Sequence, residues 1–311
     1  MVDTIAEKNM QNIRKEFKEK GIFYTTTDLA ERLKKYVDFI PKKIYDPTCG
    51  QGNLLSVWDD DIEKYGQEIY EDEIEKANAR LKNFHGYCGD TLTDDGFEGE
   101  KFDLIFANPP FSIKWTPIDD ERFNVAGVLP PPSKADYAFL LHILSHLSDD
   151  GKAICLEFPG ILYRGQREGK IRKWFVDNNY IERIVYIPPN TFVDTAIATC
   201  VLVLSKNKKT TDIIFEDSEA KIERVVKIEE IKENDYTLSV STYIINEVEK
   251  EPIDIDAVNN ELITLGIEKL FHQIRLQRML ALNIGFDDKT DEYIERLGKA
   301  LKEFKEEINE N

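Results

Sequence analysis

The sequence predicts an α/β protein: a doubly wound, mostly parallel sheet with a C-terminal helical tail. Three observations lead there. Between Ile44 and Lys206, apolar β-rich runs alternate with helical patterns, as strands joined by crossover helices do. A Gly-x-Gly turn follows the first of those strands and opens the next helical stretch, the place where a parallel sheet offers a ligand site. From Ile255 onward the strand signal stops and the chain reads as helix.

Each element follows from local pattern. Met10, Ile13 and Phe17 recur three and four residues apart, which predicts a short amphipathic helix within residues 1–20. Strands are expected at Lys43–Asp46, Gln67–Tyr70, Phe102–Ala107, Ala153–Phe158, Ile181–Ile187 and Ala198–Leu204. Helical patterns fall near Asn53–Lys64, Glu73–Asn83, Asp136–Leu147 and Lys170–Asn178. Only Pro188–Ile197 separates the last two strands, too little for a crossover helix, so a hairpin should put an antiparallel strand at one sheet edge. The expected division is a main domain over 21–210, a connecting segment over 211–252 with short strands at Ile213–Glu216 and Glu223–Ile228, and a helical region over 253–311. In that tail Ile294, Leu297, Leu301, Phe304 and Ile308 form a two-heptad apolar seam. It suits a helix packed on its own domain as well as one that docks another subunit.

Composition narrows the function. Seventeen Phe and 13 Tyr in 311 residues can fill a substantial core. No apolar run approaches the roughly 18 residues of a membrane span, and the first 20 residues lack the apolar stretch of a secretory signal. Cys49, Cys88, Cys155 and Cys200 form no CxxC pair, so neither a metal site nor a disulfide framework is expected, and a reducing cytoplasm suits the chain. Lys and Arg number 41 against 59 acidic residues, a net charge of −18. Nonspecific affinity for nucleic acid comes mainly from cations at phosphates, so this chain alone should bind a duplex poorly. From Glu216 to Asn311 there are 24 acidic and 13 basic residues, so −11 of the charge lies in the tail. Any nucleic-acid contact should come from the front part or from a partner.

Four short segments carry chemistry. In Asp46-Pro47-Thr48-Cys49-Gly50-Gln51-Gly52-Asn53-Leu54-Leu55, the two glycines allow a tight turn and close approach to a ligand. A pyrophosphate loop would have a third glycine; an acid before the turn suits a cationic amino-acid group better. About 20 residues later, Glu68 followed by Ile69 ends the next strand, where a carboxylate can grip ribose hydroxyls. Asp90, followed by Thr91, stands at a third strand end and could accept from an adenine amino group, or simply form a Gly-Asp turn. The strongest is Asn108-Pro109-Pro110-Phe111, directly after the apolar run Asp103–Ala107. Two prolines stiffen the turn and remove two donors, leaving carbonyls as acceptors. An exocyclic amine is a poor nucleophile because its lone pair is delocalised. Accepting both its protons, at the Asn108 side chain and the Pro109 carbonyl, turns that lone pair toward an electrophile. Phe111 offers a stacking face for a base taken out of a duplex.

With these residues in hand, the chain resembles amino-methylating DNA methyltransferases, and most of all the modification subunit of type I restriction-modification systems. The likeness extends over Gly21-Ile22-Phe23-Tyr24-Thr25, Asp120-Glu121-Arg122-Phe123, Ala135-Asp136-Tyr137-Ala138-Phe139, Leu162–Glu168 and Tyr236-Thr237-Leu238-Ser239. The family's proline after Thr25 is Thr26 here, which can take the same extended backbone. The resemblance implies a class I, Rossmann-like methyltransferase fold using S-adenosylmethionine. Tyr24, Thr25, Asp46, Pro47, Thr48, Gly50, Gly52, Asn53, Leu54, Glu68, Ile69, Asp90, Thr91 and Asn108 would hold that cofactor. Asn108, Pro109, Pro110 and Phe111 would be the catalytic turn, methylating adenine N6. Phe192 would be a second aromatic beside the flipped base, though a loop Phe in the core reads equally well. Arg164, Arg167, Lys170, Arg172 and Lys173 form a basic cluster that could meet DNA phosphates or simply solvate a helix start. A specificity subunit would be a partner, and a nuclease subunit could be another. The same turn also serves enzymes that methylate RNA bases or a protein glutamine amide, and a scaffold without activity would keep the fold.

Overall fold

The computed structural model describes residues 26–189, 197–245, 255–284 and 289–310. The expected helix within 1–20 lies outside them. The chain divides into two compact units after Asn246.

The first unit is organised by β1 (Lys43–Asp46), β2 (Glu63–Glu68), β3 (Phe84–Cys88), β4 (Phe102–Ala107), β5 (Leu147–Glu157), β6 (Ile181–Ile187), β7 (Thr199–Ser205), β8 (Ile213–Asp217) and β9 (Ile222–Val226). They form one sheet in the order β3-β2-β1-β4-β5-β7-β6-β8-β9. β1 through β5 run parallel to one another, β7 is antiparallel to both β5 and β6, and β8 is again parallel to β6. The order reverses between β1 and β4, so the strand ends there open a crevice.

Side chains alternate between two cores, as a sheet covered on both faces requires. Tyr45, Ile105, Ala153, Cys155, Leu202 and Leu204 enter one core. Ile44, Leu104, Phe106, Ile154, Leu156, Val201 and Val203 enter the other. The helices that cover these faces include α1 (Thr27–Leu33), α2 (Glu71–Arg80), α3 (Glu121–Asn124), α4 (Asp136–His146) and α5 (Gln166–Asp177). Thr26 is extended at φ −71°, ψ 151° and caps α1 by accepting from the Leu29 N–H at 3.3 Å, as expected for the residue in the proline's place.

Three expectations are corrected. The predicted helix at Asn53–Lys64 is a set of turns with a short 3-10 piece at Leu55–Val57, and the strand expected at Gln67–Tyr70 runs over Glu63–Glu68 instead. Three consecutive aspartates, Asp59–Asp61, separate Trp58 from the strand and give the segment no apolar stripe to continue. The antiparallel strand is present, but inside the sheet. β7 slots between β5 and β6, while β8 and β9 extend the sheet beyond β6, so the edges are β3 and β9. One pattern went unread: β3 carries His85 and Gly86 and only half-buries its phenylalanine.

α6 (Ile228–Glu233) and α7 (Val240–Tyr243) complete the first unit, and α8 (Ile255–Ile284) and α9 (Thr290–Glu310) form the second. Leu262, Ile263, Phe271 and Leu276 of α8 are exposed, as are Ile294 and Leu301 of the α9 seam. The side chains of Phe304 and Ile308 lie outside the described residues. Among the described residues, no helix is long and apolar enough to cross a membrane.

Candidate active site

The site begins at the end of β1. Asp46 is 1% exposed, and its Oδ1 accepts the Thr48 N–H at 3.0 Å. Burial pushes its carboxyl up to about 8, against the Thr48 N–H, which favours ionisation, and with the help of the nearby Glu68 charge. A cation placed beside it would restore the carboxylate. Gly50 (φ +50°) and Gly52 (φ +76°) both take left-handed backbone, which side-chain-bearing residues seldom adopt. A Cβ on Gly52 would stand 2.5 Å from Leu81 Cδ1, so this glycine lets the turn pack on the end of α2.

Glu68, ending β2, reaches back to that turn. Its Oε2 accepts the Gly50 N–H at 3.0 Å, while Oε1 accepts from Ile69 at 2.9 Å and Tyr70 at 3.3 Å. Burial raises its carboxyl despite these three donors. After β3, Asp90 accepts the Leu92 N–H at 3.0 Å, and the buried Thr91 hydroxyl donates to the Pro47 carbonyl. The third strand end is thereby tied to the first.

These strand ends enclose a cavity of about 290 Å3. Asp46, Pro47, Thr48, Gly50, Asn53 and Leu54 line it from the first turn, Glu68 and Ile69 from the second, and Asp90 and Thr91 from the third. Asn108 and Pro110 line the same cavity from the turn after β4. Pro109 is buried beneath the turn, and Phe111 packs half-buried on the second core; neither reaches the cavity wall, nor does Gly52. Ile113, Lys114, Trp115 and Phe139, which the sequence patterns left unassigned, also line it. Trp115, four residues past Phe111, was the available signal. Tyr24, Thr25 and Phe192 lie outside the described residues.

Three carboxylates converging on one cavity, one of them buried without a cation, suit a ligand with a positive end and ribose-like hydroxyls. Ile69 and Trp115 add apolar surface for a flat ring. S-adenosylmethionine has these features, and the residues present fit it.

A buried network supports the third strand end. Arg122 donates to the carbonyls of Thr91 and Leu92, both at 3.2 Å, and pairs with Asp95 at 3.0 Å and Asp120 at 2.7 Å. Asp95, His142 and His146 bring three ligand-type atoms within 4.8 Å, a spacing that would suit a metal ion. The Arg122 guanidinium already stands there, 2.8 Å from His142 Nδ1. A fixed cation takes the place an ion would need.

The basic cluster separates into two groups. Arg172 is buried and donates to the carbonyls of Ile161, Arg164 and Tyr236. Arg164 pairs with Glu168 at 3.2 Å. Both are committed to the protein, whereas Arg167, Lys170 and Lys173 are exposed on α5, Lys173 paired with Asp177 at 2.7 Å.

A family model described as N-6 DNA Methylase matches residues 3–225. The chain belongs to this family. The N-6 DNA methylase match spans every strand end of the cavity and the Asn108–Phe111 turn. Among relatives, a type I restriction enzyme MpnII methylase subunit from Mycoplasma pneumoniae is 33% identical over 79% of this chain and 57% of its own length. A HindI methylase subunit from Haemophilus influenzae is 27% identical over 65% of this chain and 50% of its own. Among solved structures, a type I restriction-modification methyltransferase subunit from Streptococcus thermophilus superposes with a TM-score of 0.66 at 30% identity, covering 71% of this chain and 59% of that one. This N-6 DNA methylase chain therefore spans little more than half the length of these relatives.

Proposed function

We propose that the chain transfers a methyl group from S-adenosylmethionine to the exocyclic N6 of adenine in DNA, as the modification subunit of a type I restriction-modification complex in the cytoplasm. One observation carries the reading: Asn108 and Pro110 line the same cavity as Asp46, Glu68 and Asp90. The amine-binding turn and the cofactor-binding acids therefore face one space.

When bound, S-adenosylmethionine supplies an electrophilic methyl group on a sulfonium. Asp46 and the Gly50 turn hold its amino-acid end, Glu68 its ribose, and Asp90, Thr91 and Ile69 its adenine. The Asn108 side-chain oxygen and the Pro109 carbonyl accept the two protons of the target amine and aim its lone pair. Phe111 and Phe192 stack on the displaced base, and Arg167, Lys170 and Lys173 contact phosphates. Positioning and fixed dipoles supply most of the acceleration. No general base is needed before transfer, since the proton becomes acidic once nitrogen carries the methyl group.

The net charge of −18 and the exposed apolar residues of α8 and α9 support a subunit that meets DNA through a partner. A specificity subunit docked on those helices fits both, and a nuclease subunit could complete the assembly. The test is transfer of labelled methyl groups to an adenine-containing duplex, with the purified chain alone and with its partner. Transfer to adenine only in the presence of the partner is expected. A chain that binds the cofactor yet never methylates DNA with the partner present would overturn the reading.

A further inference from the structure

The backbone just behind the Asn108–Phe111 turn is gripped by charges that the proposed chemistry does not use. Ser112, next after Phe111, has φ +54°, a left-handed conformation uncommon for a residue with a side chain. Its backbone N–H donates to Asp136 Oδ1 at 3.1 Å, and its hydroxyl donates to the same oxygen at 3.4 Å. Asp136 is the first residue of α4, and its side chain is fully buried. Arg164, in the loop before α5, closes the arrangement from the other side. Its Nη1 donates to Ser112 Oγ at 3.3 Å, and its Nη2 lies 3.5 Å from Asp136 Oδ1 and 3.2 Å from Glu168 Oε1. Ile113 is held as well, its carbonyl accepting the Ala135 N–H at 2.8 Å.

Such a cluster is a poor device for stability. Buried charges seldom recover their desolvation cost, and apolar side chains of similar volume often do better. Here Asp136, Glu168 and the fully buried Glu157 at the end of β5 all lean on the Arg164 guanidinium, with Lys134 and Arg172 acting on Glu168 as well, and burial pushes the Glu157 carboxyl up. What the cluster does provide is a fixed backbone at one unusual dihedral, one residue past the turn.

We propose that Asp136, braced by Arg164, is a positioning residue for methyl transfer: by fixing the left-handed Ser112 it sets the Asn108–Phe111 turn against the cavity. The inference rests on the proposed activity. Neither Asp136 nor Arg164 lines the cavity, so both act on it only through the segment 108–115.

The experiment compares Asp136→Ala with Asp136→Asn, which keeps an oxygen to accept from Ser112 while discarding the charge. Three readouts are taken on the full chain: S-adenosylmethionine affinity by calorimetry, amide exchange of the segment 108–115, and single-turnover methylation of an adenine duplex with the partner present. Misplacing reacting groups by about 1 Å costs on the order of 100-fold in rate. Asp136→Ala should therefore exchange faster over 108–115 and transfer about 100-fold more slowly, a loss far larger than any in cofactor affinity. Asp136→Asn should hold the slow exchange and recover to within about tenfold of the parent rate. Wild-type transfer in Asp136→Ala, unchanged exchange there, or an equal loss in Asp136→Asn each overturns the proposal. If Asp136→Ala fails to fold, the asparagine variant decides alone. If the parent chain itself never transfers a methyl group, the proposed activity falls, and the exchange comparison still decides whether Asp136 fixes the turn.

Discussion

Glu68 accepts the Gly50 N–H at 3.0 Å, so the carboxylate ending β2 also holds the left-handed turn that ends β1. Two strand ends are locked to one another by a side chain that has acceptor capacity left over, since a carboxylate offers about four lone-pair sites.

Replacing Glu68 by Ala should weaken S-adenosylmethionine binding by about 1–3 kcal/mol, the usual cost of losing hydrogen bonds to a charged acceptor. Glu68→Gln keeps one acceptor for Gly50 and should lose less. Calorimetry on the purified chain measures both. Unaltered affinity in Glu68→Ala would remove the ribose role.

Asp46 predicts a pH dependence. Its neutral form is favoured in the ligand-free fold up to about pH 8, whereas the unfolded chain ionises near 3.8. Stability of the free protein therefore falls as pH rises between those values, because the folded state holds the extra proton. A cationic ligand favours the carboxylate, so binding releases a proton and tightens with rising pH, by at most about tenfold per unit. Calorimetry in buffers of different ionisation enthalpy detects the proton. A flat profile from about pH 6 to about pH 7.5, indistinguishable from Asp46→Asn, would show that no such coupling exists.

Asn108→Ala should leave cofactor affinity nearly intact while transfer falls by a factor of about 100–1,000, the cost of removing a positioned hydrogen-bonding group from a site closed to water. Phe111→Ala should instead weaken capture of the base by about 1–3 kcal/mol, and Phe111→Trp should keep part of the activity. Single-turnover methylation distinguishes them. Wild-type transfer by Asn108→Ala means the catalytic turn lies elsewhere.

Arg122→Met should cost stability more than chemistry. It strands Asp95 without its guanidinium and frees the Thr91 and Leu92 carbonyls. Breaking a buried pair from one side typically costs about 3–5 kcal/mol, and cofactor affinity should fall with the loosened loop. Denaturant titration reads the first effect; no loss of stability would make the network incidental.

Much of the site was legible because its chemistry lies in contiguous residues: Asp46–Leu54, Glu68–Ile69 and Asn108–Phe111 each announce a strand end. The rest was less so: Ile113, Lys114 and Trp115 follow the turn without a motif of their own, and Phe139 reaches the cavity from α4 only through tertiary packing. Arg164 and Arg172 misled for a related reason. A sequence shows a positive charge but not the buried carboxylates and carbonyls that consume it. The strands β1 and β4 were found where apolar residues run together; β2, which is mostly polar, was placed too far along the chain, and β3, with His85 and Gly86, has no apolar run. That β7 lies inside the sheet could not be read from a hairpin signal, which fixes adjacency to β6 but says nothing of what pairs on the far side.

The reversed strand β7 has a consequence for protein engineering. Ile187 pairs with Thr199, and Cys200 pairs across to Glu157, so both ends of the segment 188–198 are pinned by interior ladders on either side of β7. The ladders that β5 and β6 make with β7 hold the register on the two anchoring strands. The segment should behave as an interchangeable cassette: a chimera carrying the equivalent stretch from a relative, longer or shorter by a few residues, is expected to fold and to bind S-adenosylmethionine like the parent. Thermal melting and calorimetry of such chimeras test this, and a graft that unfolds the sheet would show that the segment helps to set the register.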